Sequence, residues 1–443
     1  MKRKHLSPTR LLALGFAVVI LGGALLLCLP FATREGVHIS FLDAIFTATS
    51  ATCVTGLVVA DTYLTFTLFG QAVILSLIQI GGLGFVAILT SVVMVTGKRI
   101  GLRERTYLME SVNALQLGGV VKLLRWMLTF TFAVEGIGAL LLMIRFIPQF
   151  GIGRGIWYGI FHSVSAFCNA GFDLMGFQAP YNSLVEYRTD PLVTLVIMAL
   201  IILGGVGFVV WRDVLEHRQH FRKYSLHAKV VLTGTAILLV GGTIGFLIVE
   251  RNHTLAGMDM GERILAASFE SVTPRTAGFN TTDLNDLSEA GVILTTLLMM
   301  VGAAPGSTGG GMKITTMAVI IMGVASSIRQ REEINIFRRR LGNDQIRRAF
   351  VSGSLYVMMA LGGLLVILGL QNLPIRDVVL EVFSAIGTVG LSTGVTREME
   401  ALSRIVLIIL MYSGRVGGLS VLAAVAAKKT PKMKNPEGKI IIG

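Results

Sequence analysis

Charge is scarce in this chain. Asp, Glu, Lys and Arg make up 15% of its 443 residues, where an ordinary soluble domain carries about 25%. That shortage excludes a typical water-soluble fold, and with it the reading of a basic chain as a nucleic-acid binder. Cysteine is scarcer still: Cys28, Cys53 and Cys168 are too few and too far apart for a disulfide framework or a thiolate zinc site. The chain also lacks a His-Glu-x-x-His pair, a Gly-x-Ser-x-Gly elbow and paired carboxylates inside apolar segments, so the usual equipment of an intramembrane enzyme is missing.

What is abundant is apolar surface and glycine. Hydrophobic residues account for 53%, mean hydropathy is +0.73 and there are 51 glycines, which indicates an all-α polytopic membrane protein. The apolar run at 11–29 exceeds the roughly 7 to 15 residues of a signal-peptide core, and no small-x-small site closes it. It reads as a first spanning helix ended by Pro30. Further segments long enough to cross a bilayer lie near 66–97, 123–147, 191–211, 228–249, 290–328, 349–370 and 403–427, eight in all. An even number puts both termini on one side. The N-terminus, 98–125, 212–229, 329–348 and the tail from 428 then hold 27 of the 39 basic residues against 8 acidic ones, so that side is predicted to be cytoplasmic.

Each outer connection within a pair of spans carries a short apolar stretch, at 41–52, 156–167, 264–272 and 378–386, about half the length of a full span. These read as re-entrant half-helices. After each comes a glycine turn: Thr52-Cys53-Val54-Thr55-Gly56-Leu57, Phe167-Cys168-Asn169-Ala170-Gly171-Phe172, Pro274-Arg275-Thr276-Ala277-Gly278-Phe279 and Ile386-Gly387-Thr388-Val389-Gly390-Leu391. The four glycines are 115, 107 and 112 residues apart. A Ser-Ala pair recurs upstream at Ser50, Ser165 and Ser384, and the third repeat departs from it with Val272-Thr273. Every repeat crosses the membrane twice, so the repeats are parallel rather than inverted. The expected division is 1–10, then repeats at 11–97, 98–211, 212–328 and 329–427, then a tail at 428–443.

Four such units around one axis would bring the turns to one depth. Irregular backbone at membrane depth must line a cavity or be buried in protein, and rings of carbonyls can replace a cation's hydration shell. The expected filter is Val54, Thr55, Gly56, Asn169, Ala170, Gly171, Thr276, Ala277, Gly278, Thr388, Val389 and Gly390. The alternative, glycines that merely pack helices, does not account for four turns each preceded by a half-length apolar segment. Inward-pointing half-helix C-termini would favour a cation beneath them, and Asp43 and Asp377 sit at the opposite ends, where a carboxylate suits the helix dipole.

The sixth span is interrupted by Gly302-Ala303-Ala304-Pro305-Gly306-Ser307-Thr308-Gly309-Gly310-Gly311-Met312-Lys313. Glycine costs about 1 and proline about 3 kcal/mol in a helix interior, so this predicts an unwound intramembrane loop across the permeation path. It reads as a gate, the alternative being a packing kink. A phosphate-binding loop is excluded, since Met312 separates Gly311 from Lys313 and Ile314 replaces the Ser/Thr; no nucleotide site is expected there. Milder glycine clusters stand at 81–84, 204–207 and 414–418. Arg415, inside the last span, is a charge costing at least ~2.5 kcal/mol. It is expected to face the pore and hydrogen-bond carbonyls around 307–311, or else to pair with Glu135. Glu135 itself reads as an interhelix contact and His162 as a satisfied buried histidine. The basic clusters at 217–223 and 338–340 read as topological charge, with a partner or anionic lipid as second readings.

These turns, the Gly-Ser-Thr-Gly-Gly-Gly-Met-Lys loop and the lone arginine of the last span resemble the Trk/Ktr/HKT superfamily of potassium transporters. With eight spans and no extra N-terminal pair, the chain is most similar to Ktr membrane subunits. The resemblance implies K⁺ uptake through a pore in each protomer, a homodimer in the cell membrane, and control by a cytoplasmic ring of RCK-domain subunits that bind ATP and ADP. It also implies Na⁺ as an activator. It assigns K⁺ selection to the filter glycines, with Gly56 of the K⁺ type rather than serine. Gating falls to Gly306, Ser307, Thr308, Gly309, Gly310, Gly311, Lys313 and Arg415. A transporter using alternating access would need coupling acids in the membrane, and only Glu135 qualifies.

Overall fold

The computed structural model describes residues 8–95, 101, 106–109, 119–331 and 333–418. The expectations for the extreme N-terminus, for most of the basic loop 98–118 and for the tail 428–443, with its apolar Lys439-Ile440-Ile441-Ile442-Gly443 end, concern residues outside that set, as do the last turns of the second and eighth segments.

The first member of each pair is one unbroken helix: Pro8–Leu27, Val120–Phe150, Leu226–Val249 and Asn343–Leu370. Among the described residues these four are long and apolar enough to cross a membrane by themselves. Each turns large apolar side chains outward, such as Val18, Leu140, Ile248 and Leu365, which are 64% exposed or more. In water such a belt would be untenable, whereas lipid tails match it.

The second members are interrupted. Leu68–Leu83 stops before Phe85–Val95, Pro191–Val206 before Phe208–His217, and Ala401–Val416 ends at Gly417. At each break stands a glycine with positive φ, Gly84 at 85°, Gly207 at 94° and Gly417 at 90°, a conformation that glycine adopts without a Cβ clash. The chain bends by 95° at Gly207, so 208–211 leaves the span expected there. The sixth span divides into Glu289–Met299 and Ile314–Ile328, with the glycine-rich loop between.

The half-helices are Phe41–Thr52, Ile152–Phe167, Met260–Val272 and Ile375–Gly387. The last three begin about a turn earlier than their apolar stretches, because their first turns, at 152–155, 260–263 and 375–377, include polar residues or glycine that an apolar pattern does not mark. Asp259 and Glu262 form a reciprocal capping box. Ser40 caps the first, accepting from Asp43 N at 3.1 Å. Asp43 then joins Arg404 of the last helix at 2.6 Å, tying repeat 1 to repeat 4. Each half-helix packs on the first member of its repeat, and Phe46, Phe161, Phe167, Phe172, Phe269 and Phe279 are fully buried around the turns that follow. On the basic side, a two-residue-turn hairpin pairs Asn335 with Arg340 and Ile336 with Arg339. Its tip, Phe337 and Arg338, has φ of 48° and 62°, as such hairpins require.

Candidate ion-conducting site

All four turns share two left-handed positions, the glycine and the residue two before it. The residue two before each glycine is left-handed: Val54 at φ 50°, Asn169 at 58°, Thr276 at 70° and Thr388 at 51°. For non-glycine residues this is uncommon, and for a β-branched one a true outlier that the surroundings must enforce. Here the enforcing contact is a hydrogen bond from the next residue to the half-helix: Thr55 N to Ser50 O, Ala170 N to Ser165 O and Val389 N to Ser384 O, each 2.8 Å, and Ala277 N to Thr273 O, 3.0 Å.

A hydroxyl makes a second tie. Ser50 Oγ and Ser384 Oγ accept from Gly56 N and Gly390 N at 3.1 and 3.0 Å. Ser165 Oγ donates to Phe172 O at 2.7 Å, and Thr273 Oγ1 to Phe279 O. The departure at Val272-Thr273 thus has a structural cause: the third turn is one residue shorter, and Thr273 does the work of the serine. The signal in the sequence is the hydroxyl itself, five residues before Gly278 rather than six.

The glycines Gly56, Gly171, Gly278 and Gly390 also have positive φ, between 70° and 99°, and they form a closed ring. A Cβ added to Gly56 would lie 2.7 Å from Ala170 O, on Gly171 2.6 Å from Ala277 O, on Gly278 2.4 Å from Val389 O, and on Gly390 2.2 Å from Thr55 O. Each glycine therefore faces the carbonyl that precedes the next, in the order of the repeats, and no side chain fits at any of the four. All twelve residues expected in the filter are brought together. Beneath the turns, Gly81, Gly204 and Gly414 of the second spans press on half-helix ends so closely that a Cβ would sit 1.9–2.1 Å from Thr52 O, Phe167 O and Ile386 O.

The loop at 302–313 lies directly under this ring. Gly302, Gly309, Gly310 and Gly311 leave no room for side chains: a Cβ on Gly309 would be 2.2 Å from Thr276 Oγ1, and one on Gly310 2.3 Å from Thr388 Oγ1. Gly302 N donates to Met312 O at 2.8 Å, closing the loop on itself, while Ala304 N and Gly311 N donate to Gly205 O and Gly414 O at 2.9 and 3.2 Å. Gly306 O accepts from Phe208 N at 3.0 Å. Ser307 Oγ donates to Ala304 O at 2.6 Å, and Thr308 Oγ1 to Phe167 O at 2.9 Å.

Arg415 donates through Nη1 to Thr308 O and through Nη2 to Gly81 O and, at 3.1 Å, Gly82 O. Lys313 Nζ donates to Gly309 O and Gly310 O at 2.7 and 3.3 Å. Two cations thus bind the loop's carbonyls. Below them opens a cavity of about 480 Å³ lined by Gly306, Ser307, Gly311, Lys313 and Arg415. Above the ring, a vestibule of about 210 Å³ is lined by Gly56, Gly171, Gly278 and Gly390 with Asp61 and Asp173.

Glu135 does not pair with Arg415. It accepts from Gln79 Nε2 at 3.2 Å, lies 3.8 Å from Cys168 Sγ, and its main-chain oxygen accepts from Ser163 Oγ at 2.6 Å. His162 is fully buried, accepting from Leu174 N at Nε2 and contacting Tyr158 O at Nδ1.

Residues 15–437 match the family described as TrkH, cation transport protein. The chain belongs to that family. Its members are transporters, not enzymes, and the chain is accordingly a multi-pass membrane protein. It is 41% identical to the potassium/sodium uptake protein NtpJ of Enterococcus hirae, over 100% of this chain and 98% of that one. The Ktr system potassium uptake protein B of Bacillus subtilis is 40% identical over 99% of this chain and 97% of its own length. In structure it resembles the crystallised potassium transporter TrkH of Vibrio parahaemolyticus, with a TM-score of 0.76 over 96% of this chain and 86% of that one at 18% identity, a likeness of fold.

Proposed function

We propose that this chain is the potassium-conducting pore subunit of a K⁺ uptake system in the cell membrane, with cytoplasmic termini. The observation that carries the reading is the closed ring of Gly56, Gly171, Gly278 and Gly390, each against the carbonyl preceding the next. Main-chain oxygens held in fixed positions replace a cation's water without a buried formal charge, and the names of the relatives point to potassium. Inward movement is driven by the membrane potential, worth about 2.3 kcal/mol per charge per 100 mV.

The loop at 302–313 acts as the gate. Arg415 and Lys313 hold it shut by neutralising the carbonyls that a passing cation would need, and their own charges repel that cation. Release of the loop follows from a cytoplasmic RCK-domain ring that binds ATP or ADP, acting on a homodimer of this chain, with Na⁺ as an activator. The division into repeats at 11–97, 98–211, 212–328 and 329–427 is the functional one, each repeat giving one quarter of the filter.

Proteoliposomes holding this chain alone, under a negative-inside potential, test the reading. Saturable entry of K⁺ and Rb⁺ with little Na⁺ is expected. Entry that requires a second ion gradient would replace the pore with a coupled transporter and turn attention to Glu135.

A further inference from the structure

Aligning the repeats by the hydroxyl that ties each turn brings a second fourfold position into register. Three residues before Ser50, Ser165, Thr273 and Ser384 stand Thr47, His162, Glu270 and Glu381. One helical turn separates each pair, so both side chains lie on the same face of the half-helix. All four residues are 2% exposed or less. Burying a carboxylate in a half-helix costs several kcal/mol unless it is paired or hydrogen-bonded, so apolar packing does not explain two of them at equivalent places.

What these residues meet is the chain that follows the filter glycine. Tyr158 O can only accept, so the 2.8 Å contact puts the proton of His162 on Nδ1. Nε2 is then the acceptor for Leu174 N–H at 3.3 Å, three residues after Gly171. Glu381 Oε1 accepts from Thr396 Oγ1, beyond Gly390, and Thr396 Oγ1 is 3.3 Å from Ser392 Oγ of the same limb. Glu270 stands beside Thr282, four residues after Gly278, and near Arg188, but neither of its oxygens makes a hydrogen bond of good geometry among the described residues. Thr47 Oγ1 likewise has none. The filter turns are therefore tied twice in repeats 2 and 4, below the glycine by the serine and above it by this second position.

We infer that His162 and Glu381 are positioning residues for ion selectivity, holding the outer limbs of the second and fourth turns to their half-helices so that the carbonyls around Gly171 and Gly390 keep the spacing that favours K⁺. The inference rests on the filter reading. A rigid limb lets the carbonyls resist closing on a smaller ion, whereas a loosened one lets them follow it inward and bind Na⁺ nearly as well.

The test is the K⁺/Na⁺ permeability ratio of the full chain in proteoliposomes, for protein that elutes as a single folded species. Glu381→Leu removes the acceptor and is expected to lower the ratio about tenfold, the value of one hydrogen bond to a charged group. Glu381→Gln keeps an oxygen for Thr396 and should hold the ratio within about twofold of the parent on the same arithmetic. Thr396→Val, a small change at the vestibule side, should reproduce the loss, and the double variant Glu381→Leu/Thr396→Val should add nothing. Unchanged ratios for both single variants, or a Gln variant as impaired as the Leu one, overturn the inference. Gly390→Ser in the same assay separates the two levels: a changed ratio there with unchanged Glu381→Leu defeats only the positioning role, and an unchanged ratio there defeats the filter reading as well.

Discussion

Gly278→Ser puts the largest predicted change on the smallest edit. The new Cβ would lie 2.4 Å from Val389 O and 3.1 Å from the Gly390 Cα, at a backbone φ of 80°. Contacts that close are not tolerated, so either the Val389 carbonyl moves off the axis or the third turn rotates. A non-glycine residue held in such a backbone region costs about 1–3 kcal/mol, and a loss of that size in the K⁺-bound state corresponds to about 5- to 150-fold. Under the proposed filter the strain falls on a carbonyl of the ion path, so we expect the K⁺/Na⁺ permeability ratio to drop at least about fivefold by this arithmetic, with a parallel fall in apparent K⁺ affinity. Gly241→Ser is the control, because a Cβ there meets nothing within 4 Å. Competition of Na⁺ with Rb⁺ uptake in proteoliposomes reads both. Equal ratios for the parent and Gly278→Ser would refute the reasoning.

Arg415→Ala removes donors to Thr308 O, Gly81 O and Gly82 O and is expected to raise K⁺ flux; deletion of residues 309–311 should do the same, and reduced flux from folded protein would argue against a gate. Gly204→Ala would bring a Cβ to 1.9 Å from Phe167 O, so thermal unfolding in detergent should come at a markedly lower temperature, whereas Gly136→Ala, with nothing near its Cβ, should leave it unchanged. Burial raises the Asp173 carboxyl to about 7, and neighbouring Asp61 adds to the rise, against the lowering by its hydrogen bond from Met175 N. The vestibule therefore gains negative charge as pH climbs through 7, and K⁺ influx at low K⁺ should increase between about pH 6 and pH 8; Asp173→Asn should flatten that profile, and a slope that persists would assign it to another group. Because the folded value lies above the unfolded one, this group's contribution to stability is full at low pH and lost as pH rises through 7.

The half-helices and turns could be read from sequence because each is local: a half-length apolar stretch followed by one glycine. The interrupted spans at Gly84, Gly207 and Gly417 were visible as glycine clusters, but not as breaks, since the positive φ that ends each helix depends on what packs beneath the turn. The third turn itself is legible at Thr276 and Gly278, but its upstream hydroxyl is not, because it lies five rather than six residues before the glycine and only the bond from Thr273 Oγ1 to Phe279 O identifies it. The surroundings of Glu135 were illegible for a similar reason. Gln79 and Cys168 lie 56 and 33 residues away, and nothing in either segment marks them as neighbours. Arg415 stood out by cost alone, and the cost also suggested its partners, because carbonyls freed by an unwound loop are what a buried guanidinium requires.

The central claim is that a cation binds on the axis between Gly56, Gly171, Gly278 and Gly390. Crystals of the protein grown in Rb⁺, measured at the rubidium absorption edge, test it most directly. The account predicts an anomalous peak encircled by the main-chain oxygens of the four turns, lost when Na⁺ replaces Rb⁺. Rubidium bound elsewhere, with none within the ring of a protein that transports it, would contradict the account.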